Sequence, residues 1–270
     1  MALVFFGISL VFYLAATIGF VGHLVLGREE LRRWGTAALW IGLGADTFGL
    51  ALRVITLGTS VLNSFDDQLS LLAWLIVGVY LALQTRYHLA VLGALVSPLA
   101  FLLTLSSYVV FSGAQTLPER LQDAWLPAHI APAFFGYALF AFAACLSLVY
   151  LLQERQLKAK RRHVFRRMPS LETLDDLTYR CVAWGFGLFT IGIVTGSLLA
   201  KARWGAFWSW EPVQILSVLA WLLYAVLLQT RSVGWRGRRA ATLTIVGFAL
   251  LIVSFLTLNL GVAPHGRALG

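Results

Sequence analysis

Residues 2–26 read ALVFFGISLVFYLAATIGFVGHLVL, twenty-five positions without a single Asp, Glu, Lys or Arg. A helix needs about 20 apolar residues to cross the hydrocarbon core of a bilayer, whereas a core helix of a soluble protein is satisfied by far fewer. A run of this length is also too long for the apolar segment of a cleavable signal peptide, and no basic leader precedes it. It reads as a membrane span. Seven further apolar runs follow, at about 35–57, 69–83, 88–110, 130–152, 177–200, 212–228 and 240–262. The sequence therefore predicts an all-α membrane protein, a bundle of about eight transmembrane helices.

Composition agrees with that reading. Of the 270 residues, 59% are hydrophobic and 12% charged, against about 25% charged in an ordinary soluble domain. Ten Trp, 18 Phe and 8 Tyr exclude a disordered chain, which fails to collapse for want of apolar surface. Cys145 and Cys181 both lie inside apolar runs, outside any CxxC spacing, and read as small buried residues. No internal repeat is evident by eye, and no linker separates a soluble part, so residues 1–270 are expected to form one membrane domain.

The net charge of +9 suggests a nucleic-acid partner only where cations share a solvated face. Here they fall between spans. Arg28, Arg32 and Arg33 follow the first span and Arg86 the third. A basic block at 155–167 with Arg180 follows the fifth, and Arg231, Arg236, Arg238 and Arg239 follow the seventh. Arg53 lies within a span, and Arg120, Lys201, Arg203 and Arg267 lie on the opposite side. By the positive-inside rule the odd loops are cytoplasmic and both termini face outward. The charge reports orientation, with membrane lipid as the surface it meets and no nucleic acid.

That orientation gathers the unusual residues on the outer face. The loop after the sixth span runs KARWGAFWSWEP (201–212), crowding Trp204, Phe207, Trp208 and Trp210 into seven positions. An interfacial aromatic belt is one explanation. The other is an apolar stacking platform for a large planar ligand, for which haem is the right size and chemistry. Gly205 and Ser209 suit a tight turn beneath it, and Pro212 suits the first position of the next helix.

Five histidines remain to be sorted. His163 belongs to the basic cytoplasmic block and His88 to a cytoplasmic edge, while His23 sits about a turn from the end of the first span, within reach of head groups or a backbone carbonyl. His129 opens the fifth span and His265 closes the eighth, both on the outer side. Neutral imidazoles are standard haem-iron ligands, so these two are candidate axial ligands. Arg203, Lys201, Arg120 and Arg267 are candidate partners for the propionates. Leu117, Leu121 and Trp125 share one face at i, i+4 and i+8 and suggest a short surface helix. Asp46 and Arg53, seven apart on the second span, are expected to face the bundle interior as interhelical glue or as the lining of a path.

The stretch WGAFWSWEP (204–212) resembles the tryptophan-rich WWD signature of the cytochrome c assembly family, whose members include CcsA/ResC, CcmC and HemX-type proteins. The likeness extends to LDDLTYR (174–180), TIGIVTG (190–196), GWRGRR (234–239), and Asn259 with His265. Over residues 1–128 it rests on helix count and LGALVSP (92–98). The CcsA branch is the nearest in pattern. The resemblance implies a haem-presenting protein of a bacterial inner (cytoplasmic) membrane with its site on the periplasmic side. There His129 and His265 ligate haem b, a transferred substrate, while Trp204, Gly205, Phe207, Trp208, Trp210, Glu211 and Arg203 form the loop that holds it. It further implies an apocytochrome c acceptor with CxxCH and a CcsB-like membrane partner, the chain being at most one subunit of a holocytochrome c synthase. Glu211 stands where Asp is usual, Val213-Gln214 where a polar pair is common, and Gln229 where CcsA proteins carry a membrane histidine. A HemX-like factor acting on tetrapyrrole synthesis, and a transporter or scaffold without haem, are the alternatives.

Overall fold

The computed structural model describes residues 1–58, 61, 64–87, 89–111, 125–159 and 169–259. Among them are eight helices, each long and apolar enough to cross a membrane, and no strand. They are α1 (Ala2–Leu26), α2 (Glu29–Leu57), α3 (Phe65–Gln84), α4 (Ala90–Val109), α5 (Trp125–Lys158), α6 (Leu171–Trp204), α7 (Pro212–Ser232) and α8 (Arg238–Asn259). Helices answer the physical demand of a bilayer, in which every backbone N–H and C=O must be satisfied within the segment. The chain is thus a multi-pass membrane protein. Large apolar side chains such as Val11, Ile18, Phe48, Ile55, Trp184 and Val194 remain exposed, which suits a lipid-facing surface.

Most helices outrun the apolar runs that announce them. The second begins at Glu29, six positions before the run, because Glu29 and Glu30 lie in its first turn, where carboxylates favour the positive end of the helix dipole. The sixth continues through Trp204, so Lys201, Arg203 and Trp204 belong to its last turn and the connecting loop is only 205–211. Trp125 opens α5; the rest of the expected surface helix, with Leu117 and Leu121, lies outside the described residues.

Compact packing divides the chain into two units, Met1–Pro127 with Arg155–Ser170, and Ala128–Glu154 with Leu171–Gly270. In the first, α1 crosses α2 antiparallel with three aromatic knobs at heptad spacing. Phe6, Tyr13 and Phe20 meet Gly49, Gly42 and Gly35, where an added Cβ would lie 2.7, 2.6 and 3.1 Å from the respective ring. Glycine at these points lets backbones approach closely, the usual device where lipid supplies no hydrophobic drive between helices. Several polar groups buried in this unit are paired across helices. Tyr13 Oη donates to Asp46 Oδ2 at 3.3 Å. Arg53 Nε donates to Asp67 Oδ1 at 2.8 Å and Oδ2 at 3.0 Å, its Nη2 to Asp67 Oδ2 at 2.5 Å and Asp66 Oδ2 at 3.1 Å, and its guanidinium lies 4.9 Å from the Phe111 ring centroid. Asp46 and Arg53 are therefore fastenings between helices. His23 is buried and its Nδ1 lies 2.8 Å from the Arg28 carbonyl, beside the left-handed Gly27 that caps α1.

The second unit repeats this wiring with other residues. Ala133 and Phe140 on α5 face Gly192 and Gly185 on α6, the contacts an added Cβ would make being 2.9 and 3.1 Å. Ser70 pairs with Ser107 between α3 and α4 at 2.8 Å, and Ser217 with Ser254 between α7 and α8 at 3.1 Å. Trp74 Nε1 donates to Thr47 Oγ1 at 2.7 Å, and Trp221 Nε1 to Thr190 Oγ1 at 2.9 Å. Gly58 and Gly205, both with positive φ (59° and 78°), follow α2 and α6. The sequence conceals this repeat because only small residues and hydrogen-bonding pairs keep their places, and because α6 is about one turn longer beyond Gly192 than α2 is beyond Gly49. Phe140 stacks on Tyr224 at 3.9 Å between centroids, joining α5 to α7, and Phe134 meets Phe255 of α8 edge-on at 6.0 Å. Cys145 and Cys181 are free and buried in this unit. Where α6 begins, Arg231 ties α7 to Asp175 at 2.7 Å and Asp176 at 2.6 Å, and Asp175 also accepts the Gly237 N–H at 3.0 Å.

Candidate functional site

His129 lies in the first turns of α5, and its Nδ1 is 2.8 Å from the Gly192 carbonyl oxygen on α6. A carbonyl only accepts, so Nδ1 carries the proton and donates it. The ring nitrogen that then bears a lone pair is Nε2, the tautomer a metal ligand requires. Gly196, one turn further along α6, gives the imidazole its room, for an added Cβ there would stand 2.7 Å from Cε1 and 2.9 Å from Nδ1.

The same end of the α5–α6 pair carries the tryptophan loop. From Gly196 to Gly205 the chain climbs nine residues, about 13 Å along the helix axis. Gly205 then turns with φ 78°, its N–H bonded to the Lys201 carbonyl at 2.9 Å. Phe207 and Trp210 are exposed, the latter at 76%. Trp208 and Trp210 meet edge to face at 5.8 Å, and the Lys201 ammonium sits 4.2 Å from the Phe207 centroid. Trp210 holds φ at 58°, a left-handed conformation that costs a bulky side chain about 1–2 kcal/mol. Rings held out of any core on a strained backbone suit a surface waiting for a flat partner.

Gln214 supplies what keeps the loop in shape. Its Oε1 accepts the Ser209 N–H at 2.9 Å and the Ser209 Oγ–H at 3.2 Å. Glu211 is the N-cap of α7 with Pro212 at its first position, so the carboxylate lies near the positive end of that helix.

The sequence places His129, Phe207, Trp208, Trp210 and the Gly205 turn on one outer face; in the structure α5 and α6 carry them toward the same end of the second unit. The side chains of Arg203 and Trp204, and the whole of His265, His88, His163, Arg120 and Arg267, lie outside the described residues. Gln229 is exposed on α7. Gly192, Gly196 and Gln214 were missed as functional residues. The signal for the first two was the GxxxG spacing inside TIGIVTG, a close-approach motif in membrane helices. Among the described residues no cluster of three His, Cys, Asp or Glu could hold a bare metal ion. A single oriented imidazole on the helix pair whose same end carries exposed aromatic rings fits iron that brings its own equatorial ligands.

The sequence model of the "Cytochrome C assembly protein" family matches residues 63–263. The chain belongs to that family, and its role lies in cytochrome c biogenesis. Its relatives include the cytochrome c biogenesis protein CcsA of Guillardia theta, 30% identical over 84% of this chain and 85% of that one. The CcsA of Synechococcus sp. (strain CC9605) is 27% identical over 94% of this chain and 96% of its own length. Among solved structures, the cytochrome c heme lyase CcmF superposes with a TM-score of 0.69 at 16% identity, covering 97% of this chain and 50% of CcmF. At that identity the likeness is one of fold, and the chain spans about half of the CcmF length.

Proposed function

We propose that the protein binds haem b at the outer face of the inner membrane and presents it, as transferred substrate, for covalent attachment to the CxxCH of apocytochrome c. It would act as the CcsA-like subunit of a holocytochrome c synthase beside a CcsB-like membrane protein. The observation that carries this reading is the His129–Gly192 hydrogen bond, which puts the proton on Nδ1 and the lone pair on Nε2, at the same helix end as the tryptophan loop. His265 is the proposed second axial ligand, and Trp204, Trp208 and Trp210 the platform, with Phe207, Glu211 and Arg203 at its margins. The family match from 63 to 263 has residues in both units, in keeping with one working domain over that stretch. Both termini and the loop are assigned to the periplasmic side from the distribution of Lys and Arg.

Attachment of haem joins cysteine sulfur to a vinyl carbon and moves the thiol proton to its neighbour; that reactivity belongs to haem and acceptor. What this chain contributes is ligation, stacking and exclusion of water. The first test is an absorption spectrum of the protein purified after expression with ample haem. A Soret band is expected, lost or shifted in His129→Gly and in His265→Gly and restored by added imidazole. A protein without the band, or with unchanged spectra in both variants, overturns the site. Covalent haem staining of apocytochrome c in membranes holding the CcsB-like partner separates a synthase subunit from a HemX-like factor, a reading favoured by Gln229 in place of the membrane histidine.

A further inference from the structure

We infer that Gly196 and the Gly192 carbonyl form a dedicated seat for the His129 ring, making both positioning residues for the axial ligand; this rests on the haem-ligating reading of His129. The argument begins with the shared helix register. In the first unit α1 faces α2 through Phe6–Gly49, Tyr13–Gly42 and Phe20–Gly35, and in the second α5 faces α6 in the same antiparallel register through Ala133–Gly192 and Phe140–Gly185. Carried one turn further, that register pairs position 129 with 196 in the second unit and position 2 with 53 in the first. Those first-unit positions hold Ala2 and Arg53. In that register a small residue stands opposite a long one, so helix packing at that level does not itself demand glycine. The second unit inverts the arrangement, with the ring on α5 and the hole on α6, and it does so at the one histidine in the described part of the site.

The imidazole fills the hole, since Cε1, Nδ1 and Nε2 of His129 are the three nearest atoms to an added Cβ at Gly196, at 2.7, 2.9 and 3.5 Å. Gly187 on the same helix has nothing within 4 Å. Any side chain at 196 must therefore swing the ring. The Gly192 carbonyl complements the steric seat by taking the Nδ1 proton at 2.8 Å. Such a partner fixes the tautomer and raises the basicity of the opposite nitrogen, and its loss typically lowers metal affinity by about 10–100-fold. One helical turn of α6 thus sets both the tilt of the ring and the nitrogen it offers.

The test uses the full-length protein in detergent, loaded with haem and read by absorption and electron paramagnetic resonance. Gly196→Ala is expected to keep its helicity, bind haem, and lose or shift the low-spin signature of histidine ligation, while Gly187→Ala keeps the wild-type spectrum. A second arm works without touching α6. In His129→Gly, imidazole, which has an N–H for the Gly192 carbonyl, is expected to restore the signature at a concentration about 10-fold lower than 1-methylimidazole, which has none. Both concentrations are referred to the affinity of each base for haem in empty micelles. Equal rescue by the two bases, or a wild-type spectrum in Gly196→Ala, overturns the seat while leaving His129 a ligand. An unchanged spectrum in His129→Gly overturns the ligand reading itself, and the seat with it.

Discussion

Replacing Arg53 by Met should destabilise the first unit more than any other single charge removal in the described residues. Arg53 is 4% exposed, and Asp66 and Asp67 are each 1% exposed. Its four donor contacts, at 2.5 to 3.1 Å, bridge α2 to the first turn of α3. Methionine keeps most of the volume but takes the guanidinium away from the two adjacent carboxylates. Removing one partner of a buried pair costs about 3–5 kcal/mol. For a chain of this length each kcal/mol moves the melting temperature by about 2–4 °C, so the expected fall in Tm is about 6–20 °C. The assay is thermal unfolding in detergent, followed by circular dichroism. Arg53→Gln with Asp67→Asn, which exchanges ionic for neutral hydrogen bonds, should recover at least half of the loss. A fall in Tm of less than about 2 °C would place the cluster in the range of an exposed ion pair, under about 1 kcal/mol, and refute the claim that it is shielded from water.

Three further outcomes follow from the same packing. Gly42→Ala puts a Cβ 2.6 Å from the Tyr13 ring and should cost about 1–3 kcal/mol by overpacking, whereas Gly44→Ala, with nothing within 4 Å, should raise stability by about 0.5–1 kcal/mol; paired thermal melts decide. Gln214→Leu removes the acceptor for two Ser209 donors and should speed limited proteolysis within 205–211 severalfold while shifting the global Tm by no more than about 2 °C; equal protection of the loop would show that it holds its shape otherwise. Arg231→Ala breaks the links to Asp175 and Asp176 and should cost about 1.5–3 kcal/mol, read as a lower Tm that Asp176→Asn alone does not reproduce, because Asp176 is the more exposed partner.

Legibility in the sequence followed the strength of the physical signal. Eight apolar runs announce eight helices because the bilayer tolerates little else, and the match of residues 2–26 to α1 is complete. Helix ends were less legible. The apolar run stops where lipid stops, while the helix continues into polar flanks such as Glu29–Glu30 or Lys201–Trp204, where a charge at the correct pole costs nothing. Trp208, Trp210 and His129 stand out in the sequence as candidate site residues, since few ordinary loops crowd tryptophans in this way. Gly196 and Gln214 do not. A glycine acts through what it omits, and a glutamine five positions from its serine signals a clasp only once the chain has turned between them. The repeated wiring of the two units was hidden for a related reason, as Phe6 and Ala133 do the same work at different sizes.

The heptad pairing of rings and glycines also has a mechanical meaning. A slide of α5 along α6 by one turn, about 5.4 Å, would carry Phe140 away from Gly185 toward Phe189 or Cys181, positions with no hole to receive it. The same obstacle meets Tyr13 on α2. Each helix pair behaves as a toothed rack whose next engagement lies a full heptad, about 10 Å, away. Movement within a unit is thereby restricted to small rocking about the teeth. The height of the His129 ring is then set by the rack.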